Sequence, residues 1–188
     1  MVRCSAMLFV TLAACASSSS TGSSSGASGG SVPSTESSDP KLAGMVAAHN
    51  AVRAAVSPAP ATPLTPLQWN GDDAAVAKDW AAQCRFEHNP GRGTRGENIF
   101  AAAGQAVTAE KVVQSWAAEA KNYTYASNQC SGTCGHYTQV VWADTTHVGC
   151  AAQTCTTGSP FGGGAGGSWE LWVCDYSPPG NFVGKKPY

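Results

Sequence analysis

The sequence predicts an α+β layered domain that is held together by disulfides and preceded by a signal and a flexible segment. Three observations predict it. Residues that would form one buried face of a helix recur at three- and four-residue steps in the earlier part of the chain, and apolar residues alternate near the C-terminus. Six of the 8 cysteines lie between residues 84 and 174. Helices followed by strands are typical of domains in which helices pack onto a sheet. Residues 40–188 have the size of one such domain.

Residues 1–14 have the pattern of a secretory signal peptide. A basic residue precedes an apolar run too short to span a bilayer, and residues 12–15 resemble a bacterial lipobox, whose cysteine is lipidated and becomes the first residue. The alternatives are an ordinary signal cleaved after Ala14, or a hydrophobic start that is not processed. Removal of Cys4 and lipidation of Cys15 leave an even six cysteines, whereas cleavage without a lipid leaves an unpaired seventh. We therefore expect a lipoprotein anchored to a membrane through Cys15.

Residues 15–39 join this anchor to the domain. Residues 16–38 are almost entirely serine, glycine, threonine and alanine, with one charge at Glu36 and no aromatic residue. Such a composition buries too little apolar surface to offset the entropy lost on ordering, so we expect a flexible tether with an average reach of roughly 25 Å. The expected location is extracytoplasmic, either lipid-anchored at the cell envelope or secreted and extracellular.

Three stretches have helical periodicity. The first has Asp39 as N-cap and Pro40 at its first helical position, and it runs to residue 57. The second covers residues 72–84, and Thr108 caps the third. Their predicted buried stripes consist of Leu42, Met45, Val46, His49, Val52 and Val56 in the first helix, Ala77, Trp80, Ala81 and Cys84 in the second, and Val112, Val113, Trp116, Ala117 and Ala120 in the third.

Three stretches are predicted to be strands, namely residues 97–101, 146–153 and 169–176. Residues 137–142 also have a strand-like pattern. The glycine-rich residues 159–168 lack the Gly-Lys-Ser/Thr ending of a phosphate loop, so we expect a hairpin connection there. One face of the second strand is predicted to carry Val148, Cys150 and Ala152, and one face of the third Trp172, Cys174 and Tyr176.

The charge pattern excludes a nucleic-acid partner. The formal net charge is −1, and no basic stripe is visible. After the signal, no apolar run is long enough to cross a membrane. We expect a monomer.

Two glutamates and two histidines are the candidates for chemistry. Glu119 lies three residues after Trp116, so it sits on or beside a buried stripe, where a carboxylate needs a partner. Glu97 opens a strand, and His88 and His136 lie close to cysteines expected in disulfides, which would hold them rigidly. Taken singly, a solvated glutamate explains Glu119 equally well, and each histidine is more often a structural or surface residue than a ligand. No His-Glu-x-x-His or paired Cys-x-x-Cys spacing indicates a metal site.

Several longer motifs resemble the CAP superfamily, which includes the cysteine-rich secretory proteins, antigen 5 and plant pathogenesis-related class 1 proteins. The resemblance extends over residues 42–188 and is greatest to the plant class 1 branch, including the segment 122–130 and the ending Lys-Pro-Tyr. The motifs that carry it are Gly-His-Tyr-Thr-Gln-Val-Val-Trp at 135–142, Trp-Val-Cys-Asp-Tyr-Ser-Pro-Pro-Gly-Asn-Phe at 172–182, Gly-Glu-Asn at 96–98 and Trp-x-x-Glu at 116–119.

The resemblance implies a three-layer α-β-α sandwich with a central antiparallel sheet. It implies that residues 137–142 form a short helical segment, and we adopt this in place of the strand-like pattern. It also implies a cleft in which two histidines and two glutamates meet, with the histidine pair holding a divalent metal in several relatives. These four are His88, Glu97, Glu119 and His136, with His88 and His136 as the metal ligands, and the implied disulfides are Cys84–Cys155, Cys130–Cys134 and Cys150–Cys174.

The chain departs from the family pattern at three places. Asp175 stands where the second signature usually has asparagine, which adds a charge near a packed turn. The segments 89–95 and 158–167 are longer than in the plant members. We expect His49, which is similar to a histidine of the family's first helix, and His147 to be structural or exposed.

Three functions are compatible with the sequence. The favoured one is binding of a small apolar ligand, such as a sterol or fatty acid, or of a divalent metal in the His/Glu cleft, with a role in defence or in interaction with a host or competitor. Tyr123 and Tyr125 could border the apolar site, although they could equally be core residues. No cofactor is required, and any zinc or magnesium would be held weakly.

The first alternative is a metal-dependent hydrolase that uses the same four residues. Because no serine or cysteine nucleophile accompanies the histidines by motif, we lean against enzymatic activity. The second alternative is a precursor of a C-terminal signalling peptide, since residues 178–188 resemble the peptide released from some plant relatives.

The lipobox predicts that Cys15→Ser releases soluble protein or leaves the precursor uncleaved, because the mutant has no thiol to lipidate. Cell fractionation and the mass of the exported protein measure this, with Cys4→Ser as the matched control that leaves Cys15 in place. A Cys15→Ser protein that fractionates with membranes as the wild type does would contradict the anchor.

Overall fold

The computed structural model of the protein describes residues 36–162 and 167–188. The predicted signal 1–14, Cys15 and all but the last residues of the predicted tether lie outside the described residues. In the described part the helices are α1 (Met45–Ala54), α2 (Gly71–Ala81), α3 (Ala109–Ala117) and α4 (Gly135–Val140), and the strands are β1 (Gln68–Trp69), β2 (Gly96–Ala103), β3 (Tyr123–Thr124), β4 (Gln129–Cys130), β5 (His147–Cys155) and β6 (Trp169–Ser177).

The central sheet has the strand order β1-β5-β6-β2. The three long strands β5, β6 and β2 pair antiparallel, as expected, and β5 and β6 pair along their whole length as a hairpin. The two-residue strand β1, which the sequence did not predict, pairs parallel to β5. Strand β2 is therefore at one edge of this sheet. The short strands β3 and β4 form a separate antiparallel pair.

Both faces of the sheet are covered, which confirms the predicted α-β-α layering. One core joins α1, α3 and α4 to the predicted faces of β5 and β6, including Val148, Cys150, Trp172 and Tyr176. The other core packs α2 against the opposite faces, which carry Ile99, Ala151, Leu171 and Val173. A sheet buried on both sides must satisfy every polar side chain of its central strands inside the protein.

Three disulfides brace these layers. Cys84–Cys155 connects the segment after α2 to the end of β5, across 71 residues of sequence. Cys150–Cys174 joins directly opposed residues of β5 and β6, and Cys130–Cys134 joins β4 to the start of α4. They are the same pairs that the family resemblance implies.

Two predicted helices have different bounds in the structure. The predicted first helix is broken, because residues 40–42 form a 3₁₀ turn and Gly44, with φ of +79°, precedes α1. Asp39 still accepts a hydrogen bond from the Lys41 amide, as its predicted capping role requires. The second helix ends at Ala81, before Cys84, which has a φ of +53°. The structure has a helix at 135–140, so the strand-like pattern there is wrong and the family-based expectation is correct.

A buried arginine on α1 joins the helical layer to the loops around the sheet. Arg53 is 2% exposed and donates hydrogen bonds to four carbonyl oxygens. Burial lowers the pKa of Arg53 to about 10, so the guanidinium still carries its charge at neutral pH. The four acceptors are the carbonyls of Thr65, Val140, Trp142 and Thr145.

Within residues 36–162 and 167–188, no helix has the length and apolar character needed to cross a membrane.

Candidate functional site

The first half of the site is a pair formed by His88 and Glu97. Glu97 is the second residue of β2, and its side chain is only 1% exposed, whereas that of His88 is 54% exposed. The Glu97 Oε1 atom accepts a hydrogen bond from His88 Nδ1 at 2.7 Å and another from the Asn89 amide at 2.9 Å. A buried carboxylate thus holds a solvent-facing imidazole by one ring nitrogen.

The second half is a pair formed by Glu119 and His136. The Glu119 Oε1 atom lies 2.6 Å from His136 Nδ1, and the other carboxylate oxygen accepts from the backbone amides of His136 and Tyr137. These amides belong to the first turn of α4, whose N-cap residue Cys134 makes no side-chain cap bond. Glu119, which lies in a 3₁₀ turn after α3, therefore caps α4 from outside it. The His136 ring also stacks on Trp116, with the ring centroids 6.1 Å apart.

Asn98 connects the two pairs. It follows Glu97 on β2, and its Nδ2 atom donates to the His136 carbonyl oxygen at 3.1 Å and to the Tyr176 hydroxyl at 3.1 Å. The Tyr176 hydroxyl also contacts His49 Nε2 at 2.8 Å, and His49 Nδ1 contacts the Met45 carbonyl at 2.7 Å. A buried polar network thus extends from α1 through β6 and β2 to α4.

The alternation of β2 explains how the pairs are arranged. Glu97 and Asn98 are neighbours on a strand, so their side chains point to opposite faces of the sheet. The His88–Glu97 pair therefore lies on the α2 side, and the network of Asn98 lies on the side of α1 and α4. Because β2 is at the sheet edge, the pairs lie near the start of one edge strand.

The structure thus places the four predicted residues in two separate His–Glu pairs. Each Nδ1 atom is bonded to a glutamate, and neither Nε2 atom has a hydrogen-bond partner among the described residues. In the same part of the chain, no group of three or more His, Cys, Asp or Glu side chains is arranged to hold a metal ion. The Nε2 atoms of the two imidazoles are the atoms that could bind a ligand, and the carboxylates hold the opposite ring nitrogens.

The other two histidines lie outside the pairs. His49 is fully buried within the network, and burial lowers its pKa to about 4, so it is neutral at physiological pH. His147 is half-buried at the start of β5, where its Nδ1 atom contacts the Thr146 hydroxyl. Sequence reasoning did not assign roles to Asn98 and Tyr176. The available signal was their position inside the quoted Gly-Glu-Asn and Trp-Val-Cys-Asp-Tyr motifs.

The C-terminal residues 178–188 pack against the domain. The Gln139 side chain accepts from the Gly180 amide at 2.9 Å and donates to the Thr145 hydroxyl. A Cβ atom at Gly96 would lie only 2.0 Å from Gln139 Oε1, so the residue before Glu97 must be glycine for this contact to form. The Pro187 carbonyl accepts from the Ala143 amide at 2.7 Å.

A disulfide-braced α-β-α sandwich with two His–Glu pairs at a sheet edge defines a distinct class of small cysteine-rich domain. The Cysteine-rich secretory protein family, CAP, matches residues 46–176. The chain belongs to this family, as the sequence motifs predicted.

Relatives occur in animals and plants. "Peptidase inhibitor 16" of Bos taurus is 41% identical over 146 residues, which are 77% of this chain but only 31% of that protein. "Pathogenesis-related protein 1" of Arabidopsis thaliana is 37% identical over 147 residues, 76% of this chain and 80% of that protein. Among solved structures, the venom allergen-like protein 4 of Schistosoma mansoni has a TM-score of 0.61 and 29% identity, with coverage of 80% of this chain and 94% of that chain.

The capping role of Glu119 predicts that Glu119→Ala lowers the free energy of unfolding by about 1–3 kcal/mol, because two amides of α4 and the His136 ring lose their acceptor. Urea unfolding measures this. The matched control is Glu110→Ala on α3, an exposed residue that accepts only from Gln114 and should change stability by less than about 0.5 kcal/mol. Equal effects of the two substitutions would contradict the capping role.

Proposed function

We propose that this CAP domain acts outside the cytoplasm as a binding module, with a weak divalent-metal site at His88 and His136. The observation that carries the proposal is the shared geometry of the two pairs. In each, a carboxylate that is at most 15% exposed holds Nδ1 of an imidazole and leaves Nε2 without a partner in the described part of the chain. Carboxylates that orient histidine ligands in this way are common behind bound metals.

The residues fit a weak site and do not fit a structural one. Two imidazole nitrogens supply fewer ligands than the four of a structural zinc centre, so water would complete the coordination. A bound zinc or magnesium ion would supply Lewis acidity at this position. Glu97 and Glu119 fix the ring orientation, and the three disulfides and two cores hold the fold without a metal.

Two features support export. Three disulfides are typical of proteins that function in oxidising compartments, and the matched family is described as secretory. The predicted lipid at Cys15 remains part of the proposal, with the tether placing the domain at a membrane surface. In this location the domain would act in defence or in contact with a host or competitor.

An apolar ligand is a second candidate function. A cavity of about 320 Å³, within the usual size range of ligand pockets, lies between the β3–β4 segment and the C-terminal residues. Its lining includes the aromatic side chains of Tyr123, Trp142 and Phe182. Tyr125 instead stacks on Tyr188, with the ring centroids 4.7 Å apart. A sterol or fatty acid is the ligand class that an aromatic wall of this kind fits.

The two alternatives from the sequence have less support. A metal-dependent hydrolase would take its nucleophile from water on the metal. Its catalytic sites usually have three protein ligands, and no group of three or more His, Cys, Asp or Glu side chains in the described part of the chain is arranged to hold a metal ion. Release of residues 178–188 as a peptide would break the bonds of Gly180 and Pro187 to the folded domain.

The metal site predicts that the wild type binds zinc in a calorimetric titration about one pH unit above 6.5, the value of a free histidine, and binds it much more weakly about one unit below. Protons compete with the metal for imidazole nitrogens. The double variant His88→Ala/His136→Ala should lose this binding, whereas His147→Ala, the matched control, should retain it.

Equal zinc binding by the double variant would exclude the site. Unfolding of the wild type when a chelator is added would show a structural metal instead, since the proposal expects circular dichroism to stay unchanged.

The aromatic cavity predicts saturable binding of a sterol or fatty acid, detected by native mass spectrometry of the purified protein with a lipid extract. Phe182→Ser should weaken binding about tenfold or more, because it removes an aromatic ring that lines the cavity. Phe161→Ser is the control, as Phe161 is 55% exposed and does not line this cavity. Equal loss in both variants, or no saturable lipid, would contradict this function.

A further inference from the structure

A buried acid lies beside the site and has no hydrogen-bond partner among the described residues. Asp175 lies in the second half of β6, is fully buried, and opposes Glu97 on β2. Directly opposed residues of an antiparallel pair have Cα atoms about 4.5–5.5 Å apart and side chains on the same face of the sheet. The carboxyl groups of Asp175 and Glu97 are therefore neighbours on the α2 side.

Both acids have unsatisfied oxygens. Within the described part of the chain, neither Oδ1 nor Oδ2 of Asp175 has a hydrogen-bond partner. The same holds for Glu97 Oε2, whereas Oε1 accepts from His88 and Asn89. Two adjacent buried carboxylates would repel each other and would each lack a donor. A single proton on one of them corrects both defects, because it supplies a donor and removes one charge.

No donor of the described residues is hydrogen-bonded to Asp175. On its other side the opposed residue is Gly149, where a Cβ atom would lie 2.1 Å from the Ala74 amide nitrogen, so α2 packs tightly there. Asp73, the acid on the facing side of α2, already pairs with Arg95 at 2.7 Å and accepts from the Ser177 hydroxyl. The Arg95 Nε proton is thus committed to Asp73.

Asparagine, the amide of the same shape as aspartic acid, shows what a donor at this position would do. An asparagine amide can donate a hydrogen bond to a neighbouring glutamate, and an ionised aspartate cannot. A protonated aspartic acid has the shape of asparagine and regains one donor.

We propose that Asp175 is a carboxylic acid in the folded protein and donates its proton to Glu97 Oε2, which makes it a positioning residue for Glu97 and, through Glu97, for His88. The proton comes from solvent when the chain folds. The inference requires neither a bound metal nor an apolar ligand, so it stands apart from the proposed function.

The electrostatics agree with this geometry. Burial raises the pKa of the Asp175 carboxyl to about 8, and the neighbouring charges of Glu97 and Asp73 add to the increase, while Arg95 and Arg92 oppose it. Because an unfolded aspartate has a pKa of 3.8, the folded state holds one more proton than the unfolded state between that value and about 8. This contribution to stability is complete below 3.8 and is lost as the pH rises through about 8.

The experiment compares the pH dependence of unfolding in wild type, Asp175→Asn and Asp144→Asn, all in metal-free buffer with chelator. Relative to Asp175→Asn, the wild-type folding equilibrium constant should fall about tenfold per pH unit between about pH 5 and about pH 7, since one proton is bound on folding. The opposite pH effect of His49 is common to both proteins and cancels in the comparison. Asp144 is exposed, so Asp144→Asn should follow the wild type.

Two further measurements distinguish a proton held by Asp175 from a purely structural role of this residue. The infrared spectrum of the folded wild type should contain a carboxylic-acid carbonyl band near neutral pH that Asp175→Asn lacks. Asp175→Ala should shift the His88 ring resonances in NMR spectra, and Asp175→Asn should restore them.

A parallel pH dependence of wild type and Asp175→Asn would overturn the proposal. Should Asp175→Asn not fold, a wild-type infrared spectrum without the acid band would overturn the proposal equally.

Discussion

The site depends on a buried hydrogen-bond chain whose direction is fixed at one end. The Met45 carbonyl can only accept, so His49 Nδ1 carries the proton and Nε2 must accept from the Tyr176 hydroxyl. The Tyr176 oxygen then accepts from Asn98, whose second amide proton goes to the His136 carbonyl. Burial lowers the pKa of His49 to about 4 and raises that of Tyr176 well above its ordinary value, so the same donor order holds throughout the neutral pH range. Helix α1 thereby determines where the backbone of His136 lies, although α1 contributes no residue to the two His–Glu pairs.

Because both faces of the sheet are buried, polar residues of β2 lie next to polar residues of β6. Asn98 and Tyr176 satisfy each other on the α1 side, and Glu97 and Asp175 oppose each other on the α2 side. Neither face gives these groups access to water, so each must find its partner on an adjacent strand or a covering helix. At the start of the edge strand β2 this requirement ends, and there the imidazole of His88 reaches solvent.

The sequence was sufficient to predict the layers of the fold and to identify the four residues of the two His–Glu pairs, for different reasons. Alternation in β5 and β6 is a local property, and it correctly predicted which face carries Val148, Cys150, Trp172 and Tyr176. The pairing of Glu119 with His136 is not local. The family motifs indicated only that these residues belong to one set of four. The strand-like pattern of residues 137–142 failed because a short apolar run fits a strand or a buried helical turn equally well. The external cap from Glu119 decides between them, and no pattern within 137–142 contains it.

Other features could not be read from the chain because they depend on what tertiary structure places nearby. Arg53 lies outside the predicted buried stripe of the first helix, yet it is buried because four carbonyls from separate segments converge on it. Likewise, the charge at Asp175 was noted as a departure from the family, but the sequence could not show that the residue opposite is Glu97.

The division between buried and exposed atoms in the pairs determines what the site can do. The carboxylate of Glu97 is almost completely buried and that of Glu119 is 15% exposed, while the side chains of His88 and His136 are 54% and 25% exposed. Each glutamate also accepts backbone amides, from Asn89 in one case and from the first turn of α4 in the other. The glutamates are consequently committed to the fold, and only the outer nitrogens of the imidazoles remain for a ligand. The proposed ligand would therefore meet two imidazole nitrogens whose opposite ring nitrogens are held by groups that belong to the fold.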